Sequence, residues 1–101
     1  MARNIATPMD EIANFCRRWA LRKLALFGSV LRDDFTPESD VDVLVEPEPD
    51  VVLGLSRLLP MEEELSRILR WPKVELHTPN SLSPYFRDEV LAGAEVLYVE
   101  T

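Results

Sequence analysis

Ile12, Phe15, Cys16 and Trp19 recur at the three- and four-residue steps of a helix. Thr7 can cap that helix, Pro8 suits its first position, and Asp10 and Glu11 suit its first turn, so a first helix is predicted to start near Thr7. Arg18 and Arg22 share a different, polar face. Lys23–Phe27 is a short apolar run that reads as a buried strand, closed by a tight turn at Gly28-Ser29. Asp40–Val45 alternates strictly, with Asp40, Asp42 and Leu44 on one face and Val41, Val43 and Val45 on the other, and reads as a second strand. Leu58, Leu65, Ile68 and Leu69 put a stripe on a helix over Leu55–Leu69; Pro60 interrupts it, so the regular helix is expected to start only there. Val74 and Leu76 alternate with Glu75 and His77 in a third strand. Ser83 as cap and Pro84 as first residue predict a last helix to about Leu91, and Glu95–Val99 a fourth strand. The order helix, strand, turn, strand, helix, strand, helix, strand predicts an α/β (α+β) chain: a small mixed sheet with helices packed on it.

At 101 residues this is expected to be one domain, residues 1–101, and 47% hydrophobic against 29% charged residues is ordinary globular composition. Charge changes the picture. Residues 1–32 carry six basic and two acidic side chains, whereas residues 33–101 carry five and 16. Eight acids and no Lys or Arg fall within Asp33–Asp50. A net charge of -7 argues against binding to bulk nucleic acid, which rewards a basic excess; one nucleotide held through a metal ion stays compatible with it. No apolar run approaches a membrane span and no signal-peptide pattern opens the chain, so neither membrane nor export is expected. The lone Cys16 rules out a disulfide within the chain and fits a reducing, cytoplasmic setting. One His and one Cys exclude a structural zinc site built within the chain.

The chemistry concentrates between Leu26 and Val45. A Gly at a strand end lets backbone N–H groups approach a phosphate, Ser29 adds a hydroxyl donor, and Arg32 a guanidinium fork. Two strand rises separate the Asp40 and Asp42 Cα atoms by roughly 6.5 Å, close enough for their carboxylates to converge on hard cations. The pattern reads as a phosphate cradle beside a metal site. Gly-Ser and Asp-x-Asp are each common as an ordinary turn and a solvated strand end. Joined at this spacing, Gly-Ser-x10-Asp-x-Asp is expected by chance in on the order of 1 chain in 1,000 of this length.

Gly28-Ser29, ten residues, then Asp40-Val41-Asp42 resembles the signature of the DNA polymerase β-like nucleotidyltransferase superfamily. Arg32, the run Ser39–Val45, Lys73-Val74-Glu75-Leu76 and Ser81–Tyr85 resemble its minimal nucleotidyltransferase (MNT) branch. The resemblance implies a mixed-sheet fold, two Mg²⁺ ions, and transfer of a nucleoside monophosphate from an NTP. It also implies a partner, since many such proteins are antitoxins of a HEPN-domain RNase toxin, and some transfer AMP from ATP to a toxin tyrosine. Carried over, Asp40 and Asp42 become metal ligands, Gly28, Ser29 and Arg32 hold the triphosphate, and Glu75 takes the place of the third metal-binding and activating carboxylate. Two positions depart from the pattern: the third acid is usually Asp, and Arg32 is commonly followed by Gly where Asp33 stands here.

Three functions compete on these residues. One is an antitoxin enzyme that adenylylates its toxin; another is a catalytically weak antitoxin that neutralises by contact; a third is a domain that binds a cation without chemistry. Outside the motif, Trp19 and Trp71 read as packing, Arg17, Arg18 and Arg22 as a solvated helix face, and His77 as a surface residue, although it shares the face of Glu75.

Overall fold

A computed structural model describes residues 5–51, 54–85 and 87–100. Helix α1 spans Met9–Arg18, strand β1 Leu21–Phe27, strand β2 Val41–Pro47, helix α2 Leu55–Leu69, strand β3 Val74–His77, helix α3 Arg87–Gly93 and strand β4 Glu95–Val99. The strands lie side by side in the order β3-β2-β1-β4. β1 is antiparallel to both β2 and β4, while β2 and β3 run parallel, so the sheet is mixed, as expected.

The two faces of the sheet differ. Leu24 and Leu26 of β1, Val41, Val43 and Val45 of β2, and Val74 and Leu76 of β3 point into the main core. Ile12, Phe15 and Cys16 of α1 close that core, with Met61, Leu65 and Leu69 of α2 at four-residue steps. The opposite face is covered thinly: Ala25, Leu44 and Leu82 form a small cluster with Val90 and Leu91 of α3 beside it. Phe27, Asp42, Glu75 and His77 lie on this second face, by the alternation of their strands.

Element ends differ from the pattern in instructive ways. Pro8 is the N-cap of α1 rather than its first residue, and α1 begins at Met9. The Pro8 carbonyl accepts the first helical hydrogen bond, from the Ile12 N–H (3.0 Å), and among the described residues no side chain caps the first-turn N–H groups, so Thr7 is not the cap. Pro60 does not delay α2, which runs unbroken from Leu55; burial of Met61 just after it holds the helix through the missing N–H. α2 stops at Arg70 in the left-handed conformation (φ 56°). The Trp71 N–H reaches the Ser66 carbonyl (3.1 Å) and the Arg70 N–H the Arg67 carbonyl (3.3 Å), a Schellman ending without glycine. Ser83 does not cap the last helix. Its hydroxyl accepts from the Tyr85 N–H (3.3 Å) in a preceding turn, and α3 starts only at Arg87.

The connection from β1 to β2 carries the motif. Gly28–Leu31 makes one 3-10 turn, fixed to the core by fully buried Val30. The remaining loop is tied down from the far side of β2. Trp71 Nε1 donates to the Ser39 carbonyl (2.8 Å), the Phe35 ring lies 4.8 Å from the Trp71 ring, and Lys73 Nζ donates to the Glu38 carbonyl (3.4 Å). Trp71 therefore packs, as read from the sequence, and also anchors the loop leading into Asp40.

Candidate functional site

The site lies where β1 ends and β2 and β3 begin. In the sheet register Phe27 faces Asp42, and Asp42 in turn faces Glu75 on the parallel neighbour. Gly28 follows with a positive φ of 82°, which an L side chain rarely adopts. A Cβ there would stand 2.7 Å from Asp42 Oδ2. Glycine is thus demanded twice, by backbone conformation and by the carboxylate pressed against it.

Asp42, Glu75 and His77 each bring a ligand atom within 4.8 Å of the other two. His77 Nε2 is 3.3 Å from Asp42 Oδ1 and 3.9 Å from Glu75 Oε2. The Phe27 ring meets the imidazole edge-on, at 5.3 Å between centroids. The hydrogen bond with Asp42 raises the His77 pKa above its ordinary value; burial opposes that, and the charges of Asp42, Glu75 and Glu62 add to it. Oxygen ligands on two adjacent strands, with a glycine giving close access, are a donor set that fits a divalent cation such as Mg²⁺.

The other motif residues lie outside this group. Asp40 is exposed and precedes β2 by one residue instead of lying in the strand, because ladder pairing starts at Val41, whose N–H donates to the Lys73 carbonyl (2.8 Å). Its carboxylate is not in the Asp42–Glu75–His77 group. Ser29 Oγ donates to the Asp40 carbonyl at 3.4 Å, linking the two halves of the motif through the backbone. Arg32 is exposed and its Nε pairs with Asp34 Oδ1 at 3.2 Å. A cavity of about 260 Å³ opens beside the turn, lined by Phe27, Gly28, Leu31, Arg32, Glu89 and Val90 among others. A larger groove of about 550 Å³ lies at the opposite end of the sheet, against Arg22, Glu46 and Glu48, and holds no motif residue.

Of the residues singled out from the sequence, the structure brings Gly28, Asp42 and Glu75 together, and His77, read as a surface residue on the face of Glu75, joins them. Its two-residue step from Glu75 gave that shared face, and the pairing of β3 with β2 sets it opposite Leu44 with Nε2 3.3 Å from Asp42 Oδ1.

Comparison with known proteins places the chain in a family. The family model described as "Nucleotidyltransferase domain" matches residues 9–97. The protein adenylyltransferase MntA of Thermococcus cleftensis is 34% identical over 82 residues, covering 81% of this chain and 78% of that protein. Among solved structures, the crystal structure of a toxin–antitoxin with AMP-PNP superposes with a TM-score of 0.72 at 22% identity, covering 94% of this chain and 75% of that one. The complex of tri-AMPylated Shewanella oneidensis HEPN toxin with MNT antitoxin gives 0.64 at 22% identity, over 92% and 70%. At such identities the two structures speak for the fold, which is the expected mixed-sheet one.

Proposed function

Because the chain belongs to the nucleotidyltransferase-domain family, we propose that it is an antitoxin that transfers AMP from ATP to a hydroxyl, a tyrosine by preference, of a HEPN-domain RNase toxin and so neutralises it. One observation carries the chemistry: Asp42 and Glu75 stand side by side on adjacent strands, with Gly28 close against Asp42. The names of the relatives carry the substrate and partner: a protein adenylyltransferase, a toxin–antitoxin with AMP-PNP, and an AMPylated HEPN toxin with its MNT antitoxin.

In this reading Asp40, Asp42 and Glu75 hold two Mg²⁺ ions, which when bound neutralise phosphate charge and clamp the reacting oxygens. The Gly28 and Ser29 backbone and the Ser29 hydroxyl take the triphosphate, and Arg32 exchanges Asp34 for a phosphate oxygen. The toxin hydroxyl attacks the α-phosphorus, an O–P bond forms, the bond to pyrophosphate breaks, and Glu75 accepts the hydroxyl proton. The acidic residues 33–101 suit a basic, RNA-binding partner and would steer its approach. The expected setting is the cytoplasm, where a toxin acting on RNA is found.

The contact-only reading draws on one observation, the exposed Asp40 carboxylate outside the Asp42–Glu75–His77 group. Co-expression with the HEPN toxin followed by mass spectrometry separates the two. AMP adducts on the toxin that vanish with Asp40→Asn/Asp42→Asn are expected. Equal suppression of the toxin by both forms, with no adduct, would make the protein a binder and end the enzymatic reading.

A further inference from the structure

We infer that His77 is a direct metal ligand, and that this third donor turns one cation position of the site toward a borderline divalent metal such as Mn²⁺ or Zn²⁺ and away from Mg²⁺. This rests on the reading of Asp42 and Glu75 as cation ligands. Three observations carry it.

The first is convergence. One atom from each of Asp42, Glu75 and His77 lies within 4.8 Å of the others. Ligands about 2.1 Å from a shared ion stand about 3.0 Å apart at right angles and about 3.4 Å apart at tetrahedral angles. The separation from His77 Nε2 to Asp42, 3.3 Å, already lies in that range, and the 3.9 Å to Glu75 exceeds it by about 0.5–0.9 Å, a shift that an exposed Glu side chain can supply.

The second is orientation. The imidazole packs in a T-shaped arrangement with the Phe27 ring and stands opposite buried Leu44 in the sheet register, with Nε2 turned to both carboxylates. A donor already aimed at the cation loses little freedom on binding it. The side chain is 29% exposed, so the nitrogen lies at the wall of an open site that an ion can reach.

The third is donor chemistry. Mg²⁺ takes oxygen ligands, keeps several waters and gains little from imidazole. Mn²⁺, Co²⁺ and Zn²⁺ accept imidazole nitrogen readily, and their affinity rises above that of Mg²⁺ as nitrogen enters the set. Two carboxylates supply the charge that neutralises a dication, and His77 supplies the discrimination. His77 is the sole histidine of the chain, so no other imidazole can substitute for it.

The test is metal binding by the whole chain without nucleotide. Mn²⁺ is titrated by electron paramagnetic resonance of the free ion, Mg²⁺ by competition, for wild type, His77→Val and His77→Asn. The expected result is a wild-type preference for Mn²⁺ that falls by about tenfold or more in both variants, while Mg²⁺ affinity stays within about threefold. Zn²⁺ added to ¹⁵N-labelled wild type should shift the ring nitrogen Nε2, an observation that needs no variant. A Mn²⁺/Mg²⁺ ratio independent of residue 77, or a ring nitrogen that Zn²⁺ leaves in place, would overturn the inference. Adduct formation with Mg²⁺ in that case would leave the adenylyltransferase reading standing. Metal selectivity without any adduct would do the reverse.

Discussion

Gly28→Ala isolates the contact on which the site turns. Gly28 has φ 82°, and an L residue in that left-handed region costs about 1–2 kcal/mol. A stiffer unfolded chain returns about 0.4–1 kcal/mol of that. The second cost comes from Asp42. Its Oδ2 would sit 2.7 Å from the new methyl, well inside ordinary contact, so the carboxylate must turn away. Leaving its rotamer costs about 0.5–1.5 kcal/mol, and losing the His77 hydrogen bond a similar amount. The expected destabilisation is about 1–4.5 kcal/mol, or a melting temperature lower by about 4–8 °C for each kcal/mol. Thermal unfolding of wild type, Gly28→Ala, Asp42→Ala and the double variant separates the two causes. With Asp42→Ala the carboxylate is gone and only backbone strain remains, because the Asp42 Cβ lies at an ordinary 3.7 Å. The two substitutions should therefore couple by about 1 kcal/mol. Strict additivity would refute the close packing of Gly28 against the carboxylate, and an unchanged melting temperature for Gly28→Ala would refute the strain as well.

Arg70→Gly is expected to stabilise the protein by about 1 kcal/mol, because glycine adopts the left-handed ending of α2 without penalty; urea unfolding measures it, and a loss of stability would contradict the assignment. Cys16 is fully buried, and burial pushes its thiol up to about 12, so a thiol reagent at about pH 8 should react with it only at the rate of unfolding; fast labelling of the native protein would count against its place in the core. The His77 pKa is raised in the fold, so its stabilising effect is fully present below the ordinary value of 6.5 and is lost as pH rises through the folded value. The stability gap between wild type and His77→Val should thus be larger at about pH 5.5 than at about pH 8.5, by urea unfolding in metal-free buffer; a gap that widens with pH would show the sign to be wrong.

Much of this arrangement could be read from the residues because local and long-range signals agree. Val41, Val43 and Val45 alternate with Asp42 and Leu44, and a period of two leaves one choice of which face is buried. Glu95–Val99 and Val74–His77 emerge as the alternation proposed. The places that differ are those where a tertiary contact decides. Proline at position 60 signals a helix break, and the burial of Met61 and Leu65 outweighs it. α2 ends at an arginine because hydrogen bonds to the Ser66 and Arg67 carbonyls replace the missing glycine signal. Of the site, Gly28, Asp42 and Glu75 were legible as a spaced motif and its family pattern. His77 was legible only as sharing the face of Glu75; its contact with Asp42 comes through the parallel pairing of β2 and β3, 35 residues apart in sequence.

The division of the sheet into two unequal faces explains how such a site can be tolerated. Two carboxylates held beside one another repel when no cation is bound, and that cost must be met by packing elsewhere. Here the packing lies on the opposite face: Leu26 and Val43 point into the main core while their neighbours Phe27 and Asp42 point to the site. Each strand thus serves both purposes at alternate residues, and neither side chain set has to compromise its rotamers for the other. The cover of α3 on the site face is thin, whereas α1 and α2 seal the far side. The loop that carries Asp40 is fastened by Trp71 and Lys73, residues at the entry to β3, so the strand that supplies Glu75 also positions the loop that supplies Asp40. The Asp40 loop and Glu75 are consequently both held by the short segment Trp71–Glu75.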